Sequence, residues 1–336
     1  VTGILGTGEI AALSAAALWA LSSLFYGRTP LTAWQMNFGK NCLATLLLCA
    51  HLGIATGIAG RSMFAADANT WLLLGISSVI GILAGDTFYF RSLQILGPRR
   101  ALIVSTTSPL FATIIGWFTL EEPLSPISLM GILMTLGGIS FVVSERGAAS
   151  EVVSPFPASA TRGILMGLGG AICNACGATF SRLGTQGSAA WSASGCDPLE
   201  ATLIRVSVAA ASGILMALLT GRLISTAKKT FHPSSLRFYG PAVFVGPWLG
   251  IWMSQIAYKH CLLAIAITLT STTPLFVMPM LRVFYGQRIT LRAFSGALVA
   301  LAGIYLTVAG DSGNSVTQGN AGTRSARPGL HPSDDA

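Results

Sequence analysis

The stretch VSTTSPLF, Val104 to Phe111, returns far downstream as TSTTPLF, Thr270 to Phe276. Sliding the chain against itself by 165 residues lays Pro109-Leu110-Phe111 on Pro274-Leu275-Phe276 (274 − 109 = 165). Without a gap, the same slide lays Gly75 on Gly240, Gly81 on Gly246, Gly85 on Gly250, Gly131 on Gly296 and Gly138-Ile139 on Gly303-Ile304. Between 75 and 143, 14 of 69 positions are identical, where so biased a composition would give roughly five by chance. The two halves are therefore repeats of one unit.

The solvent of that unit follows from composition. Of 336 residues, 52% are hydrophobic and only 10% charged, against about a quarter charged in an ordinary soluble domain. This predicts an all-α integral membrane protein. Ten apolar spans of membrane-crossing length can be drawn, near 9–26, 32–54, 71–95, 99–119, 126–144, 162–182, 199–220, 239–259, 263–283 and 292–310. Residues 1–145 then form one five-helix repeat and 162–310 the second, joined by the Ser/Pro-rich linker 146–161. The polar tail 311–336 is too poor in apolar residues to pack and is expected to be disordered. Five crossings per repeat is an odd number, so the second repeat enters from the opposite side. Such inverted-topology pairs are built for alternating access, with the substrate site near the midplane between repeats.

The net charge of +8 is spread through short connections beside apolar runs, which suits lipid headgroups and gives no reason to expect nucleic acid. The six cysteines lie mostly inside apolar runs. Cys173 and Cys176 form a CxxC with no second ligand pair, so no metal, redox centre or cofactor is called for. No basic leader precedes the first span. The four histidines lie at span ends, in a connection or in the tail, and neither a metalloprotease signature nor a phosphate-binding loop occurs. A membrane-embedded enzyme is thus an alternative without a converging catalytic set, and a non-transporting membrane partner is another.

The runs GDTFYFRSLQILGPRRALIVSTTSPLFATIIGWFTLEEPLS, 85–125, and AYKHCLLAIAITLTSTTPLF, 257–276, resemble the EamA repeat of the drug/metabolite transporter superfamily. The resemblance covers nearly all of 9–310 and is strongest in spans three to five and eight to ten. Where the family has a Gly-Glu-Arg-like element, this chain has Glu121-Glu122-Pro123 and Gly286-Gln287-Arg288, both degenerate. The resemblance implies ten helices, a carrier activity, small polar substrates such as amino acids or metabolites, often exported, and both termini in the cytoplasm. The expected setting is a bacterial cytoplasmic membrane. Counting Lys and Arg in the connections argues for the reverse orientation.

Polar groups inside hydrocarbon are costly, so each is a candidate for function. Asp86 is the one carboxylate placed deep in a span. Without a nearby cation it would suit a proton as coupling ion; beside Lys40 or Arg205 it would be one half of an ion pair. Arg205 suits a substrate carboxylate, which a guanidinium grips with two hydrogen bonds. Lys40 is expected to snorkel. The offset of Pro30 to Pro198 pairs Asn37 with Arg205. Trp19 and Asn174 lie in the first helix of each repeat, with Tyr89, Trp248, Trp252, Gln255 and Tyr258 as further aromatic and amide candidates. Trp248, Trp252 and Gln255 fall on one face of an ideal helix, either as a substrate surface or as packing. Pro109 and Pro274 free backbone carbonyls that the preceding Ser/Thr hydroxyls can satisfy, which marks both as hinges. The glycine pairs 81/85, 246/250 and 163/167 read as close-packing faces.

Overall fold

The computed structural model describes residues 5–26, 31–60, 64–122, 124–143, 160–285 and 290–325. Among them the secondary structure is helical apart from one isolated bridge, Ser188 with Ala193. In chain order the helices are α1 Thr7–Tyr26, α2 Ala33–Ala59, α3 Ala68–Ser77, α4 Asp86–Ser105, α5 Ser108–Thr119, α6 Pro126–Val143, α7 Ala160–Gln186, α8 Pro198–Leu219, α9 Leu223–Thr230, α10 Pro233–Val243, α11 Ile251–His260, α12 Leu263–Thr270, α13 Thr273–Tyr285 and α14 Leu291–Ser325. Two π-helical segments, Ser78–Gly85 and Phe244–Gly250, join α3 to α4 and α10 to α11.

Among the described residues, six helical stretches are long and apolar enough to cross a bilayer: Thr7–Tyr26, Ala33–Ala59, Ala68–Leu96, Ala160–Gln186, Pro198–Leu219 and Leu263–Phe284. Shorter apolar helices cover Ile103–Thr119, Pro126–Val142 and Phe294–Gly310. The eighth expected span, 239–259, falls on the continuous helical path from α10 to α11, which carries Pro241 and Pro247. The side chains on the rim are apolar and turned outward, including Ile58, Phe118, Leu219 and Val283. In water they would aggregate; in lipid they are the solvated surface.

The 165-residue register seen in the sequence is also the register of the helix starts. α3 begins at 68 and α10 at 233, α4 at 86 and α11 at 251, α5 at 108 and α13 at 273, α6 at 126 and α14 at 291. The repeats meet along α6 and α14, where Gly131, Gly138, Gly296 and Gly303 leave no room for side chains. A β-carbon on Gly131 would stand 2.4 Å from the Thr307 nitrogen, one on Gly303 2.5 Å from the Thr135 nitrogen, and one on Gly138 2.6 Å from the Ala300 nitrogen. Because Gly131 and Gly296 are repeat equivalents, as are Gly138 and Gly303, the contact is self-complementary. The Ser128 hydroxyl donates across it to the Thr307 carbonyl at 3.0 Å.

The repeated proline phrase turns out to be a helix break. Pro109 opens α5 after α4 stops at Ser105, and Pro274 opens α13 after α12 stops at Thr270. Proline at the first turn of a helix forfeits no internal hydrogen bond. Hydroxyls close the freed carbonyls: Thr106 donates to Ile103, Thr107 to Val104, Ser271 to Ile267 and Thr272 to Leu269, at 2.6–2.8 Å. The elements Glu121-Glu122-Pro123 and Gly286-Gln287-Arg288 fall partly and wholly outside the described residues, as does most of the linker. α14 continues past Gly310 to Ser325, and 326–336 lie outside the described residues.

Candidate functional site

π-helix is rare and concentrates where helices bend or serve function. Here it occurs twice, at 78–85 and 244–250, one repeat apart, and each copy carries a glycine pair that the sequence shows as Gly81/Gly85 and Gly246/Gly250. The glycines admit a helix from the other repeat. Against the first segment lies α7, where a β-carbon on Gly177 would stand 2.5 Å from the Gly81 Cα and one on Gly85 would stand 3.3 Å from the Cys173 Cβ. Against the second lies α1, where a β-carbon on Gly246 would stand 2.4 Å from the Ser22 hydroxyl and one on Gly250 3.3 Å from the Trp19 indole nitrogen. Trp19 and the Cys173-Asn174 pair thus occupy corresponding places.

Serine hydroxyls fasten these contacts. Ser77 donates to the Gly177 carbonyl at 2.5 Å, Ser78 to the Arg205 carbonyl at 2.5 Å and Ser22 to the Ala242 carbonyl at 2.8 Å. A widened helical turn leaves carbonyls poorly aligned with its own amides, and Asn37 on α2 serves those of the first segment. Its amide nitrogen donates to the Ile82 carbonyl at 3.3 Å and lies 3.4 Å from the Thr87 hydroxyl, while its oxygen accepts from Asn41 at 3.0 Å.

Charge is concentrated beside these segments. Asp86, the first residue of α4, forms an ion pair with Lys40 of α2, whose side chain is 3% exposed against 34% for Asp86. Lys40 does not snorkel: it is buried, with its ammonium 6.0 Å from the centre of the Phe90 ring. Asp86 makes no ion pair with Arg205 among the described residues. Arg205, on α8 and also buried, donates from Nη1 to the Gln255 Oε1 at 3.2 Å, and the same oxygen accepts from the Ser181 hydroxyl at 2.6 Å. The Arg205 Nε and the Gln255 Nε2 have no partner. Nearer one end of the bundle, Arg182 pairs with Glu122 and donates to the Tyr258 carbonyl at 2.9 Å, while Glu122 accepts from the Leu263 amide at 2.8 Å.

The structure thus brings Arg205, Gln255 and the first π segment together, with Asn37 and Asp86 on the same segment and its exit. Trp19 sits on the second segment. Trp248, itself a residue of the second segment, brackets His51 of α2 together with Trp252, its indole nitrogen 3.3 Å from His51 Nδ1. Gln255 leaves that aromatic cluster and turns to Arg205. Tyr89 stacks at a tilt on Phe90, 5.8 Å between ring centres, and Asn174 is exposed on α7. Ser181 and Arg182 are contributors that the reading of the sequence does not single out, and Glu122 is read there only as part of a degenerate family element; Arg182 and Glu122 fall at span ends, where a charge is ordinarily solvated.

The sequence profile of the EamA-like transporter family matches residues 6–144 and again 161–309. One protein of known crystal structure is similar in fold, with a TM-score of 0.65 and 18% identity over 89% of this chain and 96% of that one. No curated protein matches significantly.

Proposed function

We propose, from the premise that this chain belongs to the EamA-like transporter family, that it is a secondary carrier exporting small polar metabolites or amino acids by alternating access. Its working parts are ten helices in two inverted repeats, 1–145 and 162–310, with Pro109 and Pro274 as hinges. The observation that carries this reading is reciprocal: each repeat's π segment is seated on the first helix of the other repeat, Gly81 on Gly177 and Gly246 on Ser22. Rocking the repeats would move both seams together, and the loosely bonded π turns are the places where a helix can yield at least cost. Asn37, Asp86, Arg205 and Gln255 line the first seam, Trp19 the second, with Tyr89 and Asn174 on the flanking helices.

The test is substrate-blind. The purified protein is reconstituted in liposomes loaded with a mixed metabolite extract, and what leaves is followed by mass spectrometry with and without a pH gradient. Efflux of a defined set of solutes above that of empty liposomes is expected; none would refute the carrier reading. A gradient dependence lost in Asp86→Asn would make the proton the coupling ion.

A further inference from the structure

The buried charges nearly all cancel in pairs. Lys40 is held by Asp86 and Arg182 by Glu122, while Glu200 is committed to the amides of Ala65 and Ala66 at 2.8 and 2.9 Å. Arg205 and Glu9 make no ion pair among the described residues, and of the two Arg205, 6% exposed, is the one set within an apolar helix, Glu9 lying in the first turn of α1. A buried cation without an anion is among the costliest arrangements a membrane protein can hold, so its retention asks for a counterion.

The chemistry of the vacant positions narrows the counterion. Guanidinium has no acceptor, so the group facing Nη1 must be the Gln255 oxygen and not its nitrogen. That oxygen already accepts two hydrogen bonds, from Arg205 and Ser181. What is left over is donors alone, among them Arg205 Nε–H and the Gln255 Nε2 group, neither with a partner among the described residues. A ligand here must offer acceptors only and one negative charge. Gly81 lets the π segment pack close beside the guanidinium: a β-carbon there would stand 3.2 Å from the Gly177 Cα and 3.5 Å from the Arg205 Nη2. A phosphoryl group, with about two charges at neutral pH, would call for a second free cation beside Arg205; Lys40 and Arg182 are both occupied.

We infer that Arg205 and Gln255 are the carboxylate-binding groups of the pathway, and that the solutes carried bear a monoanionic carboxylate. The inference rests on the carrier reading and adds a substrate class to it.

The experiment uses the full chain in liposomes, loaded with small carboxylic acids each paired with its neutral amide, plus a mixed metabolite extract, with efflux sorted by solute charge. Wild type should release carboxylates over their amides by about tenfold or more, the usual size of a charge-assisted hydrogen bond. Arg205→Lys should lower carboxylate efflux while retaining part of the preference. Gln255→Glu supplies the missing carboxylate from within; it should fold, melt higher than wild type and release carboxylates about ten- to a hundredfold more slowly. Wild-type efflux of neutral or cationic solutes with no preference for acids would overturn the inference and leave the carrier standing, and so would unchanged acid efflux in a folded Gln255→Glu. If that variant does not fold, unchanged acid efflux and preference in Arg205→Lys are decisive against it. Absence of any efflux from wild type removes the carrier reading and this inference with it.

Discussion

Gly177 of α7 faces Gly81 of the first π segment so closely that a β-carbon on Gly177 would stand 2.5 Å from the Gly81 Cα and 2.9 Å from its nitrogen. Both sides of the contact are backbone, so neither can turn away. Gly177→Ala is expected to lose about 1–3 kcal/mol, the usual cost of overpacking a well-filled site. Gly75→Ala, at a helical position with nothing within 4 Å of the new carbon, should gain about 0.5–1 kcal/mol from the restricted unfolded chain. Melting of the two purified variants in one detergent checks the pair; equal melting temperatures would mean the seam is looser than this packing.

Lys40 and Asp86 are unequal partners. Asp86→Asn strands an ammonium whose side chain is 3% exposed, whereas Lys40→Met leaves a carboxylate that is 34% exposed and can be hydrated. The first should cost about 3–5 kcal/mol and the second less. The double variant should lie closer to wild type than Asp86→Asn alone, because no buried charge remains. Thermal unfolding of the four proteins gives the cycle, and strict additivity would show that the pair is not coupled.

The repeat was legible because backbone-level constraints leave identical residues: Gly81/Gly246, Pro109/Pro274 and Gly138/Gly303 sit at matched places in the fold. Polar residues in apolar runs, Asn37, Asp86, Arg205 and Gln255, were likewise visible one by one. Their partners were not. A face drawn at 3.6 residues per turn places Trp248, Trp252 and Gln255 together. The aromatics go to His51 of α2, but Gln255, three residues beyond Trp252 in the same regular α11, goes to Arg205 of α8, because so broad a face meets a different helix on each side. Likewise, whether Asp86 meets Lys40 or Arg205 depends on helix rotation, which no local pattern encodes. The π segments themselves had a signal, the Gly-xxx-Gly pairs repeated one register apart, which also serves ordinary helix packing.

Asp67 ties the α7–α8 connection to the start of α3. Its carboxylate accepts from the Thr70 amide at 2.6 Å, capping α3, and from the Ser194 amide at 2.8 Å. The Thr70 amide first, then the Ser194 groups, hold its carboxyl well below the usual carboxylate range. A depressed folded value means that the contribution is complete above the unfolded value, about 3.9, and is lost as pH falls below it. Hydrogen exchange in 187–197 should thus be flat from pH 8 to 5, once corrected for intrinsic rates, and rise only in stronger acid. Asp67→Asn should loosen the same connection already at neutral pH. A change in protection between pH 8 and 6 would assign the tie to some other group.

The connections also sort by charge, and the structure says which of them share an end of the bundle. Asp67 with Ser194, Glu200 with Ala65 and Ala66, Glu122 with Leu263, and Gln186 with the Lys259 carbonyl join the connections after α2, α5, α7 and α11 at one end. The described basic residues of that end are Arg182, paired with Glu122, and Lys259, which donates to the Cys196 carbonyl. The opposite end carries, among the described residues, Arg162, Arg222, Lys228, Lys229, Arg237 and Arg292. Orientation follows the excess of Lys and Arg in short connections, which stays in the cytoplasm. The basic end is accordingly expected to be cytoplasmic and both termini outside, the reverse of what the family resemblance implies. Single cysteines at Ser234 and at Ser192, in a chain freed of its native cysteines, decide between the two in intact cells. A membrane-impermeant maleimide should label the cysteine at 192 and spare the one at 234; labelling in the opposite sense would show that packing of the repeats overrides the charge bias.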